Sequence, residues 1–125
     1  MIFWNDLQGS TSFNKIYSSP IPIGEIELFS LGIDNNTPTI TFEFDIAEYA
    51  DMPSQKWKQS GLNTCQLGLN CSFPKKLKIS TIPTKYKLQL RITQQYDSFI
   101  IHASNNESLI ELKTKDLFTA RPFRL

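Results

Sequence analysis

Apolar and polar residues alternate along most of the chain, in short runs separated by turns rich in Pro and Asn. A period of two residues is typical of strands that bury one face. The pattern predicts seven or eight strands, over residues 24–34, 37–46, 63–73, 75–82, 85–94, 97–104, 107–113 and 117–121. Because turns recur about every 8 to 12 residues, we expect a mainly β fold, either an antiparallel β-sandwich or a partly open barrel.

Two segments depart from this alternation. Residues 10–17 combine an N-cap candidate with apolar residues at helical spacing, which predicts a short N-terminal helix. Residues 48–61 form a long polar connection around Trp57, and loops of that length in compact domains are often functional. We expect Trp4 to lie in the core. A chain of 125 residues suits one domain over residues 1–125.

The first predicted hairpin carries an unusual outer face. With a two-residue turn at Asn35 and Asn36, the apolar phases of the two strands disagree at Leu28 and Phe29. One extra residue there, a β-bulge, restores the agreement. The predicted register places two pairs of carboxylates face to face on the outer side: Glu27 with Glu43, and Glu25 with Asp45.

Facing carboxylates destabilise an isolated hairpin, because directly opposed side chains lie only about 5 Å apart. Three explanations remain open: a solvated face beside Lys residues of another strand, a docking surface for a basic partner, or a divalent metal site. We favour no metal, since strands do not supply the loop carbonyls that Ca²⁺ uses. The candidate partner-binding residues are Glu25, Glu27, Glu43, Asp45, Glu48, Asp51 and Trp57.

Two further hairpins follow from the same phase argument. A turn at Pro83 and Thr84 pairs residues 75–82 with 85–92 and sets Lys76 opposite Arg91. A turn at Asn105 and Asn106 pairs Ile101 with Ile110 and leaves His102, the single His, on the outer face.

The formal net charge of +1 hides an uneven distribution. Residues 1–62 hold eight acidic and three basic residues, a net −5, whereas residues 63–125 hold four acidic and ten basic residues, a net +6. The small total argues against bulk polyanion binding. An alternative function is still a nucleic-acid-binding module that uses the basic face from Lys76 to Arg91, with Lys78, Lys85 and Lys87. No aromatic stacking platform is interleaved with those lysines.

Known catalytic patterns are missing from the sequence, so we expect no enzyme and no cofactor. Cys65 and Cys71 lie on the buried face of one predicted strand, roughly 20 Å apart, too far for a disulfide. The N-terminus has no signal-peptide pattern, and no apolar run reaches the roughly 18 residues of a membrane helix. We therefore expect a cytoplasmic protein with no membrane partner.

Three segments carry a family resemblance: Ile2-Phe3-Trp4, the run from Pro20 to Ile26, and Pro53-x-x-x-Trp57-x-x-x-Gly61-x-Asn63. Together they resemble the immunity protein 50 family. One departure is Ile23-Gly24, where the family often carries a His-Asp type pair. The resemblance implies a small cytosolic bacterial protein that binds and neutralises a cognate toxin of a polymorphic toxin system. We expect this protein, as a monomer or weak homodimer, to form a stoichiometric complex with the toxin.

Overall fold

The computed structural model describes residues 2–9, 14, 17–46, 65–83 and 87–119. Within them a single antiparallel sheet closes into a barrel with the strand order β1-β2-β3-β6-β5-β4. The strands are β1 (Glu25–Asp34), β2 (Thr39–Ile46), β3 (Cys65–Ser80), β4 (Lys87–Gln95), β5 (Ser98–Ser104) and β6 (Leu109–Thr119). The mainly β prediction is confirmed, and the sheet is a closed barrel rather than a sandwich.

The barrel interior is built from the apolar residues of the alternating pattern. On β2, Ile40, Phe42, Phe44 and Ile46 are buried, and the same period holds on β4 and β6. A 3-10 turn over Trp4–Asp6 places the Trp4 ring 5.4 Å from the Phe44 ring, centroid to centroid. Trp4 is buried, as the sequence predicts, and its backbone N–H donates to the Ile21 carbonyl (2.9 Å).

The described chain contains six strands, not seven or eight, because two pairs of predicted strands are continuous. Residues 63–73 and 75–82 join as β3, and residues 107–113 and 117–121 join as β6. Pro74 does not end β3, because the register shifts between Pro74 and Lys76 and a bulge tolerates the missing N–H. The helix predicted over residues 10–17 falls almost wholly outside the described residues. No described helix is long and apolar enough to cross a membrane.

Both hairpin turns that the sequence assigns to Asn pairs are four-residue loops instead of two-residue turns. The Asp34 carboxylate accepts the N–H groups of Asn36 (2.9 Å) and Thr37 (3.3 Å). The Asn105 side chain likewise accepts from Glu107 and Ser108, both at 2.8 Å. A polar side chain that bonds the backbone two and three residues ahead stabilises such loops.

The longer loops move both predicted registers by two residues. Ile101 pairs with Leu112 rather than Ile110, and Leu31 pairs with Phe42 rather than Ile40. A slip of two residues keeps each side chain on its face. Ile101, Ile110 and Leu112 are therefore buried as predicted even though the pairs are wrong. Phe29 and Ile33, which the alternation also places inward, are exposed.

The hairpin predicted across Pro83 and Thr84 is also wrong. Strands β6 and β5 lie between β3 and β4, so Lys76 pairs with Lys113 and Arg91 pairs with His102. The apolar phases of the two runs agree because both line the same interior. Strand β3 already has β2 beside its first half and β6 beside its second half.

A short seam between β1 and β4 closes the barrel. It consists of Glu25 opposite Gln89, Ile26 opposite Leu88 and Glu27 opposite Lys87. The Leu90 N–H extends it by donating to the Gly24 carbonyl (2.9 Å). Beyond this seam, residues 28–34 of β1 pair only with β2 among the described residues.

Cys71 should resist alkylation in the native protein. Its side chain is buried, and this burial raises the pKa of the thiol to about 12, so the reactive thiolate is suppressed. In a Cys65→Ser background, iodoacetamide at about pH 8 is expected to label the chain only after denaturation. Rapid labelling under native conditions, followed by intact mass, would contradict the burial of Cys71.

Replacing Asn105 should weaken the β5–β6 loop. Asn105→Ala removes two N–H acceptor contacts and the bond from Asn105 Nδ2 to the Lys87 carbonyl (3.4 Å). We expect the free energy of unfolding in urea to fall by about 1–2 kcal/mol. The matched control, Asn106→Ala, should change it by less than about 0.5 kcal/mol. Equal losses in the two variants would show that the side-chain contacts of Asn105 are not what fixes the loop.

Candidate partner-binding surface

The acidic side chains of β2 face outward because the strand alternates strictly. Phe42 and Phe44 point into the barrel, so Glu43 and Asp45 stand on its outer face. On β1, the register with β2 shifts between Leu28 and Ser30. The predicted β-bulge is therefore confirmed, with Phe29 as the extra residue. It puts Glu27 on the same outer face as Asp45.

The predicted carboxylate pairs are wrong, although the four residues share a region of the barrel. Glu27 lies opposite Asp45 rather than Glu43, because the four-residue turn moves the register by two. Glu25 lies opposite Gln89 of β4 rather than Asp45. We call Glu25, Glu27, Glu43 and Asp45 together the acidic surface.

Glu43 has a different neighbour from the one predicted. It lies opposite Ser30, whose hydroxyl donates to Glu43 Oε1 (3.0 Å). On its other side, Gly68 of β3 offers no side chain. Glu43 is half-buried, with its charge free of a directly facing acid.

Asp45 occupies the least favourable position of the acidic surface. Only 8% of the residue is exposed, and no described group donates a hydrogen bond to its Oδ1. Its cross-strand neighbour on β3, Gln66, is buried as well. Burial, and secondly the charge of Glu27, raise the pKa of the Asp45 carboxyl above its usual range. The ionised side chain therefore opposes folding at neutral pH.

A lysine from another strand offsets part of this charge. Lys87 of β4 lies opposite Glu27, and its Nζ is 3.2 Å from Glu25 Oε1. This is the kind of neighbour that the solvated-face explanation requires. Both side chains of the ion pair are exposed, so it contributes only about 0–1 kcal/mol. One outer row therefore runs Lys87, Glu27, Asp45, Gln66 across four strands.

The remaining predicted contact residues, Glu48, Asp51 and Trp57, lie outside the described residues. Sequence reasoning missed Ser30 and Gln66, which flank the acids, and it assigned Lys87 to a separate basic face. Recognising Asp34 as the residue that bonds the turn would have given the correct β1–β2 register and placed Ser30 opposite Glu43. Within the described ranges, no three His, Cys, Asp or Glu side chains are grouped so that they could hold a metal ion.

The predicted basic face is divided by the strand order. Lys76 and Lys78 lie on β3, and Arg91 lies on β4, with β6 and β5 between them. Glu111 pairs with both Lys78 and His102 in this interval. Lys85 falls outside the described residues. The lysines therefore do not form one continuous basic strip with Arg91.

The sequence profile of the immunity protein 50 family matches residues 9–120, which is most of the chain. The match includes all six strands and every member of the acidic surface. The chain therefore belongs to the immunity protein 50 family. No curated protein and no solved structure matches it significantly.

Neutralising Asp45 should stabilise the protein. A carboxyl whose pKa is raised in the folded state carries its full penalty at neutral pH, and loses that penalty as pH falls through the raised pKa toward its usual value of 3.8. We expect Asp45→Asn to raise the free energy of unfolding in urea by about 1 kcal/mol at about pH 7, and by much less near pH 4.

Glu43→Gln is the matched control for this measurement, because Gln still accepts from Ser30 and Glu43 faces no acid. It should change the free energy of unfolding by less than about 0.5 kcal/mol at either pH. If Asp45→Asn destabilised the protein at neutral pH, the ionised carboxylate would be making a favourable contact and the argument from burial would fail.

Proposed function

We propose that this protein is an immunity protein that binds a cognate bacterial toxin and neutralises it by forming a stoichiometric complex. Membership of the immunity protein 50 family is the observation that carries this proposal. The complex blocks the active site of the toxin or the access of its substrate. The protein acts without a cofactor and without catalysis, in the cytoplasm of the cell that it protects.

The acidic surface is our candidate for toxin contact. Glu27 is exposed and Glu43 is half-buried, so both can meet a basic partner across the outer face. Complementary charge speeds the encounter and disfavours partners of the same sign. Glu25 is engaged by Lys87, so it adds less to the field of this surface. Glu48, Asp51 and Trp57 are proposed to extend the contact.

The unfavourable effect of Asp45 on folding stability supports the choice of this surface. A buried carboxylate beside Glu27 lowers stability, and residues that oppose folding often persist where function needs them. A cationic group of the partner placed over Glu27 and Asp45 would remove the repulsion between them. Binding would then remove part of the free-energy penalty that these two carboxylates impose on the folded protein.

The direct test uses the toxin encoded by the adjacent reading frame. Co-expression with this protein should restore growth to cells that express the toxin, and the purified pair should elute as one complex of fixed stoichiometry. Failure of the pair to associate, together with unrelieved toxicity, would contradict the proposal.

Charge removal should slow binding to that toxin. In Glu27→Gln/Glu43→Gln, the side chains keep their shape and the Ser30 hydroxyl keeps an acceptor. We expect the association rate constant to fall about three- to tenfold at low ionic strength, with a smaller effect at high salt. Stopped-flow or surface-plasmon kinetics would measure both conditions.

Asp97→Asn/Glu111→Gln changes the net charge by the same amount away from the acidic surface, since Asp97 follows the end of β4 that is distant from Lys87 and Glu111 lies on β6, and both residues are exposed. This control should leave the association rate constant within about twofold of the parent. Equal slowing in the two double variants would mean that net charge alone matters and would reject the acidic surface as the contact.

A further inference from the structure

Among the described residues, β1 has an edge that no strand pairs with beyond Glu27, and we call it the β1 edge. Strand β4 pairs with β1 only through Glu25, Ile26 and Glu27. Residues 28–34 continue for seven positions with β2 on one side and no described strand on the other. Two large apolar side chains of this stretch are exposed, Phe29 at 46% and Ile33 at 60%.

The direction of the backbone groups on this edge follows from the ladder. In an antiparallel sheet, every second residue of a strand directs its backbone N–H and C=O groups to the neighbour on one side. The residues between them direct these groups to the other side. The Pro38 carbonyl accepts from Phe73 of β3, so even-numbered positions of β2 bond β3 and odd-numbered positions bond β1. Thr41 and Thr39 pair with Gly32 and Asp34, which therefore bond β2.

The intervening residues of β1, Leu31 and Ile33, consequently direct their N–H and C=O groups away from β2. The other end of the strand gives a consistent result once the extra residue at the bulge, Phe29, is counted. There, the Gly24 carbonyl accepts from Leu90, and Ile26, two residues later, faces β4. Leu31 and Ile33 thus present a row of donors and acceptors that an extended segment can pair with.

A second free edge, on β3, is guarded where the β1 edge is not. Beyond Ser72, β6 is the one described strand that pairs with β3, and there β3 carries Lys75, Lys76 and Lys78. Proline and lysine on an edge are the usual protection against unwanted strand addition. The β1 edge has a bulge at Phe29, but from Ser30 to Asp34 it contains neither residue type. The sequence therefore protects the β3 edge against strand addition and does not protect the β1 edge.

The acidic side chains beside the β1 edge favour a basic strand as its partner. Ser30, Gly32 and Asp34 stand on the outer face of β1, and Ser30 lies opposite Glu43 of β2. Ser30 is small and a side-chain position at Gly32 has open space around it, so a long basic side chain can extend across β1 toward Glu43. A second copy of this chain would instead bring Glu27, Asp34 and Glu43 against the same acids. The edge therefore fits a basic strand better than it fits itself.

We propose that the cognate toxin docks by adding an extended strand to the β1 edge at Leu31 and Ile33. The inference rests on the proposed function and specifies its mode of contact. The partner strand is antiparallel or parallel β, with apolar side chains that cover Phe29 and Ile33 and with Lys or Arg on its outer face. Main-chain hydrogen bonds supply affinity, and Glu43 and Asp34 supply the preference for a basic sequence.

Residue-resolved amide hydrogen exchange tests the proposal with the toxin of the adjacent reading frame as the probe. In the free protein, the Leu31 and Ile33 amides should exchange fast and the Gly32 amide, bonded to β2, should exchange slowly. In the complex, the Leu31 and Ile33 amides should slow by at least about tenfold, while Gly32 changes little. A complex that forms with Leu31 and Ile33 still unprotected overturns edge pairing and leaves toxin binding intact.

The other outcomes are equally decisive. If no complex forms, the proposed function fails and the edge proposal fails with it. If Leu31 and Ile33 become protected in concentrated free protein, the occupant is a second copy and the toxin strand is rejected.

A pair of variants separates the backbone from the side chain. Ile33→Pro removes the outward N–H without removing a bond to β2, whereas Ile33→Thr keeps both the N–H and the β-branched shape. We expect Ile33→Pro to weaken toxin affinity about 3- to 10-fold more than Ile33→Thr does. Equal affinities of the two variants would overturn a role for the Ile33 amide, and circular dichroism would confirm that both are folded.

Discussion

The barrel depends on a short seam in which three residues of β1 meet three residues of β4. Glu25, Ile26 and Glu27 must pair with Gln89, Leu88 and Lys87 while the same strand pairs with β2 from Ile26 to Asp34. The seam places Lys87 beside the acids of β1, so closure and charge balance are achieved by the same contacts. It also ends at Glu27, beyond which β1 pairs with β2 and with no other described strand. The acidic surface and the β1 edge are thus both consequences of how the sheet closes.

Most inward positions of this fold could be predicted from the sequence, because a period of two survives any error of two residues in register. The bulge at Phe29 could be predicted for the same reason, since only one extra residue reconciles Ile26 with Phe44. The cross-strand residue pairs of the two hairpins could not be predicted, because they depend on whether the side chains of Asp34 and Asn105 bond the loop backbone. Strand order could not be predicted either: agreement of apolar phase shows that two strands line one interior, not that they are neighbours.

The candidate site was only partly accessible to the same reasoning. Its acids are visible in the sequence, and their outward direction follows from the alternation of Phe42 and Phe44. The burial of Asp45 does not follow from this alternation, which places Asp45 on the outer face, where side chains are usually exposed. The role of Lys87 required the seam, which joins residues about sixty positions apart in the chain. Long-range contacts of this kind leave no local pattern to detect.

Strand β3 has a consequence for how the barrel comes apart. Its 16 residues pair first with β2 and then with β6, so it links the β1–β2 hairpin to the β5–β6 hairpin. Neither hairpin can leave the sheet without exposing one half of β3, and the seam at β4 returns the connection to β1. Unfolding is therefore expected to be cooperative across the described sheet, with no hairpin acting as an independent unit. The same linkage makes assembly slow, because distant segments must meet before the ring can close.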